Sequence, residues 1–188
     1  MTATPFAKPA RFCALAFALA LALGVPWLGE SVLILIMLTP LISALAMLLW
    51  LAPEGPAPGV PALLGLNRAG LKAWPPALAA PFGIHLLGMA VLSALGLAVF
   101  VAPAGGFGID FTLNLVIGLI IGSLLALCEE VGWRGYLLPR VWAGRGALQA
   151  MLIVGFLHGL WHLPLILGTP FYHPGANPFV TVPMFLIS

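Results

Sequence analysis

Three charged side chains fall within six residues in Cys128-Glu129-Glu130-Val131-Gly132-Trp133-Arg134-Gly135-Tyr136, at the end of an apolar run that begins at Phe111. On a helix, residues four apart face each other and sequence neighbours diverge by about 100°. Glu130 and Arg134 are therefore expected to pair along one face. Glu129 has Trp133 at its i+4 position and no cation there. The two acids should differ, with Glu130 neutralised and held by Arg134 and Glu129 left to take a proton as a general base. The plainer reading is that all three mark the interfacial end of a helix, where a charge costs little.

A second group follows in Phe156-Leu157-His158-Gly159-Leu160-Trp161-His162-Leu163-Pro164. His158 and His162 lie one helical turn apart, so two imidazoles can share one target, a metal or a reacting group. The ordinary use of such a histidine is a hydrogen bond to a carbonyl inside a bundle, a role expected of His158 more than of His162. Gly118 with Gly122, and Gly155 with Gly159, form small-xxx-small pairs that let helix backbones approach. Gly118, Gly122 and Glu129 fall within about 40° of arc. Helices meeting along these glycines would bring Glu129 to His162, although plain packing is the commoner use of such pairs.

The elements that must position these groups follow from composition. The 188 residues are 62% hydrophobic and 6% charged, against about 25% charged in a soluble domain. Lipid must cover this surface, and a charge at membrane depth costs roughly 2.5 to 3.5 kcal/mol on insertion scales. The charges kept here are thus functional candidates. The net charge of +2 comes with no dense basic cluster, which argues against nucleic acid as a partner. Cys13 and Cys128 lie far apart in apolar runs and read as small hydrophobes rather than a disulfide or metal pair.

The expected fold class is all-α, a multi-pass transmembrane helical bundle with about five complete spans and the start of a sixth. The spans are Phe12–Leu28, expected to be a retained helix rather than a signal peptide, then Ser31–Leu51, about Ala77–Val101, Phe111 to Leu138 before Pro139, and Ala147 to about Gly168. Pro178–Ser188 is apolar but too short to cross. Trp27, Trp50, Trp74 and Trp142 fall near span ends, as an aromatic belt would, whereas Trp133 and Trp161 flank the candidate site. His85 reads as structural and His173 as solvated. Lys8 and Arg11, Arg68 and Lys72, and Arg140 and Arg145 occupy alternate connections; the others hold Glu30, Asp110 and His173. By the positive-inside rule this is a cell-membrane protein with a cytoplasmic N-terminus. The chain divides into residues 1–110, three spans with a cytoplasmic loop at 53–76, and residues 111–188, which carry the chemistry.

Glu129-Glu130-Val131-Gly132-Trp133-Arg134, followed by Gly135-Tyr136-Leu137-Leu138-Pro139, resembles the EExxxR motif of the CPBP family. These are the CAAX-protease and bacteriocin-processing intramembrane proteases, also called Abi. Trp161-His162-Leu163-Pro164 is similar to the family's second motif, and the likeness runs from about Asn114 to Leu167. It implies that Glu129 activates the attacking water, that Glu130 and Arg134 hold the site, and that His162 polarises the scissile carbonyl, stabilises its oxyanion or binds a metal. His158 stands where the family's FxxxH pattern places Phe, an additional candidate site residue. The third motif, a histidine four residues before Asn or Asp, is expected beyond Ser188, making residues 111–188 a partial core; Asn177 follows His173 at that spacing by coincidence.

The expected activity is hydrolysis of a membrane-anchored peptide or protein by a metalloendopeptidase-like enzyme, with membrane lipid as its other partner. Glu129, His158 and His162 could form a two-histidine, one-glutamate zinc site. Alternatively, Glu129 acts as a base without metal. Two other classes stand beside this one: a non-catalytic immunity or scaffold protein of the same fold, and a proton-coupled carrier using the same acid and histidine.

Overall fold

The structure, a computed structural model, describes residues 6–23, 33–53, 59–66, 68–168 and 177–187. Among these residues the chain is helical, with no strand. The order is α1 (Ala7–Leu23), α2 (Leu33–Ala46) running into a π-helical turn at Met47–Leu51, then α3 (Val60–Leu63) and a 3-10 segment at Arg68–Ala73. It continues with α4 (Trp74–Ala94), α5 (Ile109–Glu130), a π-helical stretch at Val131–Leu137, and α6 (Leu138–Trp142). The last elements are α7 (Ala147–Trp161), α8 (Leu163–Gly168) and α9 (Pro178–Ile187). Three continuous helical stretches, Arg68–Ala94, Ile109–Trp142 and Ala147–Leu167, are long and apolar enough to cross a membrane. With the shorter apolar helices they make a helical membrane bundle.

Several boundaries differ from the sequence expectation. The loop expected at 53–76 is partly helical, and the third span begins at Trp74 and ends at Ala94 rather than near Val101. The fourth span does not stop before Pro139. The π-helical stretch runs directly on into α6, which carries Pro139 near its start. Trp50, Trp74 and Trp142 are exposed on the bundle exterior, the place for indoles at a lipid interface. Trp27 and His173 lie outside the described residues.

The helices form two packing units, Met1–Gly65 with Ser123–Ser188, and Leu66–Gly122. In the second unit, Phe107 stacks on Phe100 and meets Phe111 edge-on, and the His85 Nδ1–H donates to Pro81 O at 2.8 Å. The first unit holds the buried core. Phe12, Ala16 and Ala20 recur every fourth residue on α1 and are fully buried, the spacing of one helix face. Phe12 stacks on Tyr136 and meets Trp133 edge-on at 5.6 Å, contacts worth about 0.5–1.5 kcal/mol each.

The helix α2 crosses the π-helical stretch at Pro40. A Cβ at Gly132 would lie 2.3 Å from Pro40 Cβ, and one at Gly135 would lie 2.3 Å from Leu64 O. Only glycine permits these approaches. The seam expected from Gly155 and Gly159 is not what brings backbones together. A Cβ at Gly155 would meet nothing within 4 Å, and one at Gly159 would meet only the mobile end of Leu186. Gly118 and Gly122 belong to the other unit.

One buried polar link ties α2 to α7. The Trp161 indole N–H donates to Thr39 Oγ1 at 3.2 Å, and the Thr39 hydroxyl donates to Ile36 O at 2.8 Å. Thr39→Val would leave a buried indole N–H without its acceptor, a loss of about 1–3 kcal/mol. Thermal unfolding in detergent should show a lower midpoint for Thr39→Val and a near-native one for Thr39→Ser.

Candidate functional site

The site is assembled by the end of α5, the π-helical stretch and the last turn of α7. A π-helical insertion offsets the side chains that follow it, and such insertions concentrate at functional sites. Here it leaves Arg134 on the exterior while Trp133 turns inward with no exposed surface. The tight contacts of Gly132 and Gly135 with Pro40 and Leu64 hold it in place.

The two acids part company. The Arg134 Nη1–H donates to Glu130 Oε1 within an i, i+4 ion pair. The Glu130 side chain is 38% exposed, that of Glu129 only 12%. Glu129 Oε2 lies 3.5 Å from His158 Nε2. That nitrogen is buried and has no hydrogen-bond partner among the described residues. The His162 Nδ1–H donates to His158 O at 3.0 Å, which orients the ring and assigns its lone pair to Nε2. The carbonyl bond expected of His158 is therefore made by His162, and His158 is the imidazole nearest to Glu129.

Aromatic rings enclose the histidines. Trp133 stacks on His158 with centroids 5.0 Å apart and planes within 20°. Trp161 meets His162 edge-on at 4.7 Å, and Phe185 of α9 lies 4.9 Å from the same ring. Both tryptophans are fully buried, so they wall the histidines off on their sides. The contributions of Thr39 and of Phe185 had no signal in the sequence, because each acts through a contact between helices distant in the chain. Asn177 has an ordinary role. Its Oδ1 accepts from Phe179 N at 2.9 Å, capping α9.

One ligand atom from each of Glu129, His158 and His162 lies within 4.8 Å of the other two. The set suits a divalent cation on three grounds. Two imidazoles and a carboxylate are a zinc-type donor set with an open position. The His158 Nε2 is a buried polar atom in need of a partner. The bond from His162 Nδ1 to a backbone carbonyl is the kind of outer contact that orients a ligating imidazole.

Comparison with known proteins adds a family resemblance to this geometry. Residues 110–188 match the sequence family described as Type II CAAX prenyl endopeptidase Rce1-like. Over those residues the chain is similar to the CAAX-protease family. A curated CAAX-protease relative, CAAX prenyl protease 2 of Methanococcus maripaludis, is 36% identical over 63 residues. The match covers 34% of this chain and 22% of that relative, so the chain spans well under two thirds of its length. No solved structure matches. All the charged and imidazole groups of the site lie within the matched stretch, while the α1 and α2 residues that pack against it come from before it.

Proposed function

We propose that this chain acts as an intramembrane endopeptidase of the CAAX-protease type, hydrolysing a membrane-tethered peptide with Glu129 as the base. The observation that carries the reading is the division of labour between adjacent acids. Glu130 is bound to Arg134, while the shielded Glu129 carboxylate faces the imidazole of His158. In the reaction Glu129 takes a proton from water as the water oxygen attacks the scissile carbonyl carbon. His158, whose Nε2 faces this carboxylate and has no hydrogen-bond partner among the described residues, is the imidazole free to donate to the oxyanion that forms. The C–N bond then breaks, and Glu129 passes its proton to the leaving amine. Trp133 and Trp161 keep bulk water from the histidines.

In the metal-bound alternative to a metal-free base, Glu129, His158 and His162 would hold a divalent cation of the zinc class, and the chemistry it would supply is Lewis-acid polarisation of a carbonyl or water oxygen. Arg134 and Glu130 position the stretch from outside. The alternation of Lys and Arg among the connections supports a cytoplasmic N-terminus, with the site toward the cytoplasmic ends of its helices. The printed name of the archaeal relative makes a prenylated peptide the first substrate class to offer.

The test is cleavage of a membrane-anchored reporter peptide by the protein reconstituted in liposomes. Chelation is expected to stop cleavage and added Zn²⁺ to restore it, with about one zinc per chain in the active preparation. Full activity without bound zinc would leave Glu129 as a metal-free base. Cleavage that survives both Glu129→Ala and His162→Ala would overturn the peptidase reading and favour a scaffold role.

A further inference from the structure

A second concave feature lies in the same packing unit but on another face. It is an apolar cleft of about 400 Å³ between α1, α6 and α7, lined by Phe6, Cys13, Val141, Ile153 and Leu157 together with Arg145. That volume falls in the range of small-molecule and lipid-tail pockets. On α7, the midpoint of Ile153 and Leu157 lies about 140° around the helix from that of His158 and His162. The cleft is therefore not an extension of the catalytic cluster.

Its chemistry is two-sided. The walls are aliphatic and aromatic, and the lining includes one cation and no acid. The Arg145 guanidinium lies 5.1 Å above the Phe6 ring, which places it where α1 begins and the α6–α7 connection passes. Lys8 and Arg11 belong to the first turns of α1, and Arg140 to α6. No Asp or Glu occurs in residues 1–29 or 131–188. Four basic side chains thus flank the cleft in sequence on the two segments that form it. Basic pockets between membrane helices are the places where anionic headgroups bind.

We propose that this cleft is a binding site for an anionic phospholipid, with one acyl chain against Cys13, Ile153 and Leu157 and the phosphate paired with Arg145. A prenyl or peptide substrate would have to reach Glu129, which lies on the other face, whereas a lipid held by its headgroup needs no such access. A second copy of the chain would bring its own basic residues against these, with no Asp or Glu in either segment to meet them.

The test is native mass spectrometry of the purified chain exchanged into micelles doped with phosphatidylglycerol or phosphatidylcholine. The wild-type chain is expected to retain one phosphatidylglycerol in preference to phosphatidylcholine. Arg145→Gln should lower that preference about fivefold, the effect of one basic residue at a membrane surface, with helicity unchanged by circular dichroism. Leu157→Trp, which fills the cleft, should reduce retention of both lipids. A second readout is the fluorescence difference between wild type and Trp142→Phe, which isolates Trp142 next to Val141: its quenching by brominated phosphatidylglycerol should exceed that by brominated phosphatidylcholine. Equal retention of the two lipids by the wild type, an unchanged preference in Arg145→Gln, displacement of the lipid by a prenylated peptide, or dimers without bound lipid would each overturn the proposal. None of these readouts depends on peptidase activity, so the lipid site and the catalytic reading can fail separately.

Discussion

Glu129→Gln is expected to remove peptide cleavage almost entirely, a fall of about 10²- to 10⁴-fold, while the purified protein keeps its helicity and thermal midpoint. The substitution preserves volume and one hydrogen-bonding oxygen, so the contact with His158 at 3.5 Å survives in outline. What it removes is the ability to accept a proton and to carry negative charge toward the two imidazoles. Glu130→Gln is the informative comparison. Glu130 is more exposed and engaged by Arg134, and surface pairs of this kind are worth only about 0–1 kcal/mol. Its loss should cost far less activity than that of Glu129. Cleavage rates of the reconstituted variants, with zinc content measured on the same samples, read both effects. Equal losses for the two acids would mean that the motif acts as a structural unit and that Glu129 has no privileged role.

Gly132→Ala is the substitution expected to damage the fold most for its size. Its Cβ would fall 2.3 Å from Pro40 Cβ, 2.6 Å from Pro40 C and 2.7 Å from Pro40 O. Two of these atoms are backbone inside α2, and proline has no alternative rotamer, so neither side can yield locally. Forcing a methyl group into packed helices costs about 1–3 kcal/mol or more through backbone shifts. The shift would fall on Trp133, whose indole stacks on His158, so stability and cleavage should decline together. Gly155→Ala provides the contrast, since nothing lies within 4 Å of its Cβ. Alanine there should leave stability unchanged or raise it by about 0.5–1 kcal/mol, the helix preference of alanine over glycine. Thermal unfolding of both variants in detergent makes the comparison. Equal midpoints would show that α2 does not press on the π-helical stretch.

The glycines show where reading the chain reaches its limit. Gly155 and Gly159 have the spacing of a helix-packing motif, yet only Gly159 is approached, and by a flexible side chain. Gly132 and Gly135 sit three apart in a stretch read for its charges, and they are the positions where backbones come close. A spacing rule records which residues permit an approach; it does not record which helix arrives. The same limit explains the histidines. Their separation by one turn was legible, but which ring would bond a carbonyl and which would face Glu129 depends on how α7 is rotated against the π-helical stretch.

From its sequence alone, this chain is determined to be a helical membrane protein, because a composition with 6% charge cannot be solvated by water. The i, i+4 pairing of Glu130 with Arg134 follows as directly, since helix geometry links residues so near in the chain. Tertiary structure decided the rest: the π-helical offset that turns Trp133 inward, the pressing of Pro40 on Gly132, the Thr39–Trp161 link, and the approach of His158 to Glu129. Each of these depends on contacts between segments far apart in the chain, and such contacts are set by the mutual fit of whole helices rather than by any local pattern.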